Sequence, residues 1–109
     1  MYDEEIYKYK ARIVKAMAHP SRLAMIDALA GGERCVCELQ AIVGSDMSTV
    51  SRHLTVLKNA GIVSDRKEGL RVFYRLRVPC ILEFFRCVDA FIHEDAKEKL
   101  AISETLRAD

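Results

Sequence analysis

Two thiols, Cys35 and Cys37, stand in the run CVCEL, where the apolar spacing that follows predicts the start of a helix. Cysteine is a poor acceptor for a helix cap, where serine, threonine, aspartate or asparagine would hold the first amides better. Glu38 nevertheless sits three residues after Cys35, the spacing of a capping box. A weak cap at a well-built helix start suggests a second use for the sulfur. The positive end of a helix favours thiolate over thiol, and thiolate is the form that binds soft ions and reacts with oxidants. The plain alternative is a pair of small buried hydrophobes. Ideal geometry limits the chemistry, because residues i and i+2 lie about 200° apart around a helix, so both sulfurs reach one ion only if the first turn distorts. Cys80 and Cys87 share a later helical segment but are separated by roughly 10 Å of rise, too far to hold one ion within a chain.

The surroundings bound what these thiols can do. The chain has 109 residues, half of them apolar and 30% charged, which describes one folded domain spanning 1–109. No uncharged run exceeds the seven residues Leu39 to Ser45, so a membrane span is not expected, and MYDEE does not read as a signal peptide. A cytoplasmic setting with reduced thiols is therefore the expectation. The net charge of +1 conceals an uneven distribution. Between Met47 and Arg77 stand the basic residues Arg52, Lys58, Arg66, Lys67, Arg71, Arg75 and Arg77 against only Asp65 and Glu68, whereas the last segment is acidic. A basic middle suits a polyanion.

The elements that position the cysteines follow from periodicity. EEIYKYKARIVKAMAHP carries Ile6, Tyr9, Ile13, Val14 and Met17 at helical spacing and is stopped by Pro20, which opens a second helix over PSRLAMIDALAGG with Leu23, Ile26 and Leu29 inward and the Gly31-Gly32 pair at its end. CVCELQAIVG is a short third helix with Val36, Leu39, Ile42 and Val43 inward and Gly44 at its end. After a very short turn comes a fourth, over DMSTVSRHLTVLKNAG, with Asp46 as its N-cap, Val50, Leu54 and Leu57 inward and Gly61 at its end. IVSDRKEGLRVFYRLR then changes period to a β-hairpin with a basic tip, its runs flanking a polar turn, DRKEGL, that contains Gly69, and a long terminal helix repeats Ile81, Phe84, Phe85, Val88, Phe91 and Ile92. Two helices across a tight turn make a helix-turn-helix, and so wide an apolar face on the last helix favours a dimer.

On the fourth helix, Ser48, Thr49, Arg52, Thr55 and Asn59 lie opposite the Val50, Leu54 and Leu57 stripe. Those nearest the N-terminus would enter a major groove, with arginine forking onto guanine. Arg66, Lys67 and Arg71 at the hairpin tip would supply phosphate or minor-groove contacts. No nucleophile-and-base pairing or phosphate loop is evident, and His19, His53 and His93 converge on nothing, so an enzyme is not expected.

The segments KAMAHPSRLAMIDAL, CVCEL, STVSRHLTVLKNAGIV and RKEGLRVFYRL together resemble the ArsR/SmtB family of winged-helix transcriptional repressors, over nearly the whole chain. The resemblance implies a mainly α fold with a β-hairpin wing. It further implies a homodimer joined through its first and last helices, one recognition helix per half-site of a palindromic double-stranded operator, and release by an inducing ligand. By position in the motif, Ser48, Thr49, Ser51, Arg52 and His53 take the DNA-reading roles. The CVC run occupies the family's sensing position, which implies arsenite or antimonite bound by Cys35 and Cys37. Arsenite-responsive members carry a further cysteine where this chain has Gln40, so a third ligand would come from Cys80, Cys87 or a small thiol. Cadmium, lead or zinc is the second choice, because the N-terminal arm offers only Asp3, Glu4 and Glu5, harder ligands than those ions prefer. A repressor answering to thiol oxidation or persulfide, and a DNA-binding module with no ligand, are the remaining alternatives.

Overall fold

The computed structural model describes residues 2–108. Five helices and three strands follow in the order α1 (Glu4–Met17), α2 (Pro20–Ala28), β1 (Arg34–Cys35), α3 (Val36–Val43), α4 (Met47–Asn59), β2 (Val63–Glu68), β3 (Arg71–Leu76) and α5 (Ile81–Ala108), with a 3-10 turn over Leu29–Gly31. The expected winged helix-turn-helix is present.

Local chemistry fixes the boundaries. Asp3 accepts from the amides of Glu5 and Ile6 at 3.1 and 3.3 Å and so caps α1. Pro20 opens α2, whose N-cap is His19, with Nδ1 accepting from the Ser21 amide at 3.0 Å. Asp46 caps α4 as its spacing predicted, taking the Thr49 amide at 2.8 Å. At the far end of α4 the Gly61 amide donates to the Lys58 carbonyl and the Ile62 amide to that of Leu57. That pair of bonds is a Schellman motif, and it needs the positive φ of 81° that Gly61 supplies.

The chain divides into two compact units, one ending at Pro79 and the other beginning at Cys80. In the first, Met25, Ile26, Leu39, Val50, Leu54, Leu57, Ile62 and Val63 are sealed from solvent and form the core. The helix phases differ from the expectation in two places. Met25 rather than Leu23 is buried on α2, and of the α3 residues expected inward only Leu39 is fully covered, while Ile42 is half exposed. The wing is an antiparallel ladder running from Val63↔Leu76 to Glu68↔Arg71, closed by the two residues Gly69 and Leu70. Asp65 to Glu68, expected in the turn, are strand. Only the first turn residue has positive φ, 61° at Gly69, the pattern of a type II′ hairpin. A third strand was not expected: β1 pairs with β3 through Arg34↔Tyr74 and Cys35↔Phe73, giving the order β1-β3-β2.

The second unit is α5 itself, 28 residues long. Phe84, Val88, Phe91 and Ile92 are exposed along it at the i, i+4, i+7, i+8 spacing of one face. On α1, Ile6, Tyr9 and Val14 are likewise exposed. Among the described residues no helix is long and apolar enough to cross a membrane.

Candidate functional site

The reading end of α4 is organised by its cap. Asp46 Oδ1 receives both the Thr49 amide and the Ser48 hydroxyl, the latter at 2.9 Å, and these donors, the Thr49 amide foremost, hold its carboxyl below the ordinary range. Arg52 reaches back one turn, its Nη2 donating to Thr49 Oγ1 at 3.5 Å. Ser48, Ser51 and Arg52 are exposed and Thr49 is half-buried, so four of the five residues expected to read DNA on this helix are presented together. Thr55 turns inward on the helix instead, donating to the Ser51 carbonyl at 2.9 Å.

His53 is placed differently. Its Nδ1 accepts from Arg22 Nη1 at 3.1 Å, and its ring lies 4.3 Å from that of His19, so it joins α4 to α2 rather than standing on the exposed face. Accepting at Nδ1 leaves the proton on Nε2. Desolvation, then the neighbouring His19, Arg22 and Arg52, pushes its pKa below the usual histidine value. The imidazole is neutral at pH 7.

The three wing cations are also unequal. Arg66 forks onto Glu33, with Nε at 3.0 and 2.8 Å from the two carboxylate oxygens and Nη2 at 2.6 Å. Its Nη1 donates to Glu68 at 2.9 Å, and the guanidinium lies 4.6 Å over the Phe73 ring. Lys67 and Arg71 are exposed and, among the described residues, paired with no acid. Of the three cations expected to meet a phosphate backbone, these two are the ones whose charge no acid neutralises among the described residues.

The cysteine pair corrects the expectation of free thiols: Cys35 and Cys37 are joined in a disulfide. Ideal-helix geometry misled because Cys35 is not helical. As N-cap and end of β1 it has φ −77° and ψ 159°, an extended backbone that sets the two Cα atoms 5.4 Å apart without distorting α3. In this form neither sulfur carries the thiolate that a soft ion requires. The cap is completed by Glu38, whose Oε1 accepts the Cys35 amide at 3.2 Å while its Oε2 receives Arg34 at 3.2 Å. Cys35 is buried, Cys37 exposed, and Cys80 and Cys87 are free and exposed. Among the described residues no three His, Cys, Asp or Glu side chains converge as a metal ion would require. The acidic arm is likewise spoken for, with Asp3 capping α1 and Glu4 and Glu5 paired to Lys8.

Cys35 and Cys37 both line a cleft of about 350 Å³ whose other walls include Met47 and Ser51 of α4 and Arg71 and Tyr74 of the wing. The cysteine pair therefore opens onto the same surface as two of the expected DNA contacts. Sequence patterns carried no signal for this cleft, nor for the Glu33 and Arg22 contacts, because each joins residues more than thirty positions apart.

A capped helix presenting hydroxyls and an arginine, beside a basic hairpin, defines a winged helix-turn-helix domain of the DNA-binding class. The chain belongs to the arsR family of bacterial regulatory proteins, whose family model matches residues 19–65. It is similar to the HTH-type transcriptional regulator Rv0081 of Mycobacterium tuberculosis, with 34% identity over 109 residues, 99% of this chain and 96% of that protein. It also resembles a cadmium resistance transcriptional regulatory protein, the CadC homolog of Staphylococcus aureus, 36% identical over 77% of this chain and 69% of that protein. Among solved structures, the crystal structure of Rv0081 superposes with a TM-score of 0.78 at 31% identity, covering 90% of this chain and 99% of that one. The homodimeric winged helix-turn-helix DNA-binding domain of Mb0332 from Mycobacterium bovis superposes at 0.75 with 32% identity, covering 90% and 93%. The chain is thus a transcription regulator by family and not an enzyme.

Proposed function

We propose that the protein is a homodimeric repressor which grips a palindromic operator through α4 and the wing and lets go when the Cys35/Cys37 pair reacts. The observation that carries this reading is the meeting of the two sulfurs at the start of α3, in a cleft shared with Ser51 and Arg71. Exposed apolar residues on α1 and α5, and the homodimeric state of the Mb0332 domain, support association through the first and last helices. A regulator of this kind works where the chromosome is, in the cytoplasm.

Two chemistries suit the pair. Once reduced, the two thiolates suit a soft trivalent ion, arsenite or antimonite, held by two sulfurs, with any third donor coming from Cys80, Cys87 or a small thiol. Alternatively the inducing event is oxidation of the dithiol itself, and the Cys35–Cys37 bond favours this second reading. Cadmium, lead or zinc fits less well, since the arm carboxylates are engaged within α1 and, even with Cys80 or Cys87 as a third donor, a tetrahedral ion would lack its fourth. Operator release by reduced protein, followed by fluorescence anisotropy with arsenite, antimonite, cadmium, zinc and peroxide, separates these readings. Arsenite release reversed by a competing dithiol supports the first, and peroxide release indifferent to chelators supports the second. If Cys35→Ser/Cys37→Ser protein still lets go in response to the same compounds, the pair is not the sensor.

A further inference from the structure

We propose that the cleft between the disulfide and the wing is a docking site for a small thiol bearing a carboxylate, and that Arg71 selects it. The proposal rests on the oxidised reading of the cysteine pair. The cleft has room for a molecule of roughly ten or more heavy atoms at about 350 Å³, near the lower end of ordinary ligand sites. Its walls divide by chemistry: Val36, Met47 and Val72 offer apolar surface, Ser51 a hydroxyl, and Arg71 a guanidinium. Glu68, directly across the hairpin from Arg71, is engaged by Arg66 at 2.9 Å, and no acidic side chain lines the cleft among the described residues. A fork-shaped cation with no acid partner among the described residues, beside a disulfide, is a receptor for a carboxylate whose other end can reach sulfur.

The exchange is directional. Cys37 is exposed and Cys35 is 4% exposed, so an incoming thiolate meets Cys37 Sγ. A bond forms between the ligand sulfur and Cys37, the Cys35–Cys37 bond breaks, and its electron pair leaves on Cys35 as thiolate at the positive end of α3. A second thiolate attacking the ligand sulfur releases the ligand as its own disulfide and leaves Cys37 as thiolate. Overall two ligand thiols are oxidised and the protein pair is reduced. In the mixed-disulfide stage the carboxylate occupies Arg71 and adds negative charge between the wing and α4, so this intermediate holds DNA less tightly than the fully reduced protein.

Stopped initial-rate exchange of the oxidised protein with 3-mercaptopropionate, 2-mercaptoethanol and cysteamine, each corrected for its thiolate fraction, tests the site without DNA. Mass spectrometry of tryptic peptides locates the adduct. The anionic thiol is expected to react about tenfold faster than the cationic one, with the adduct on Cys37, and Arg71→Gln should level the three rates. Arg75→Gln, which removes the same charge from the wing outside the cleft, should retain the preference. Equal rates in the wild type, an adduct on Cys35, or a preference that survives Arg71→Gln overturns the proposal. Equal operator affinity of the disulfide and dithiol forms would instead sink the redox reading, and leaves these rates as a separate result.

Discussion

Arg66 and Glu33 form a forked ion pair, Nη2 to Oε1 at 2.6 Å, that ties the first strand of the wing, β2, to the loop just before β1. The guanidinium holds the Glu33 carboxyl below its ordinary range. A positive group placed to meet phosphate is thereby neutralised by a neighbour 33 positions earlier in the chain. Glu33→Gln is expected to release Arg66 toward DNA, raising operator affinity and steepening the logarithmic salt dependence of binding by about one unit per protomer. Anisotropy titrations across a salt series measure both, and an unchanged slope would show that Arg66 stays on Glu68.

Arg52 and Lys67 should fail in different ways. Arg52→Ala removes a side chain suited to a base edge, so specific binding should weaken by about 1–3 kcal/mol and specificity relax at one position of each half-site. Lys67→Ala should weaken binding to all sequences alike and lower the salt slope by about one. A panel of single-base operator variants distinguishes the two patterns.

His53 predicts a pH dependence of stability. Its folded-state pKa is depressed, chiefly by desolvation, so the unfolded chain takes up the proton first as pH falls below the ordinary value of 6.5. Stability is therefore full above that value and declines as pH falls from it toward the lowered folded pKa. Urea midpoints at pH 7.5 and 5.5 should differ more for the wild type than for His53→Gln, whose amide oxygen can still accept from Arg22. Equal differences would mean that the histidine is not buried against α2 in solution.

Leu54 is sealed in the core, and Leu54→Ala should cost about 2–5 kcal/mol by chemical denaturation. Leu23→Ala, on the exposed side of α2, should cost markedly less.

These contrasts also mark what was legible in the sequence. Asp46, Pro20, Gly61 and Gly69 announced their caps and turn because each acts on backbone within a few residues of itself, and the element order followed from them. Leu23 was misplaced because a nine-residue helix carries too few apolar positions to fix its phase, so Met25 took the interior. β1 was invisible for a different reason. Two residues have no periodicity, and their strand character exists only because β3 lies beside them almost forty positions later. The same invisible strand explains the missed disulfide, since an extended Cys35 brings its sulfur round to Cys37 as no helical residue would. His53 was assigned by its place in a motif, whereas its partners Arg22 and His19 come from a different helix junction.

Position 35 answers to three masters, as a rung of the sheet opposite Phe73, as the first turn's cap and as a sulfur partner, while position 37 answers only to the last. Anyone retuning this regulator to a new signal would do well to leave the former alone. The latter is the place to vary, because new chemistry there need not disturb the scaffold that carries it.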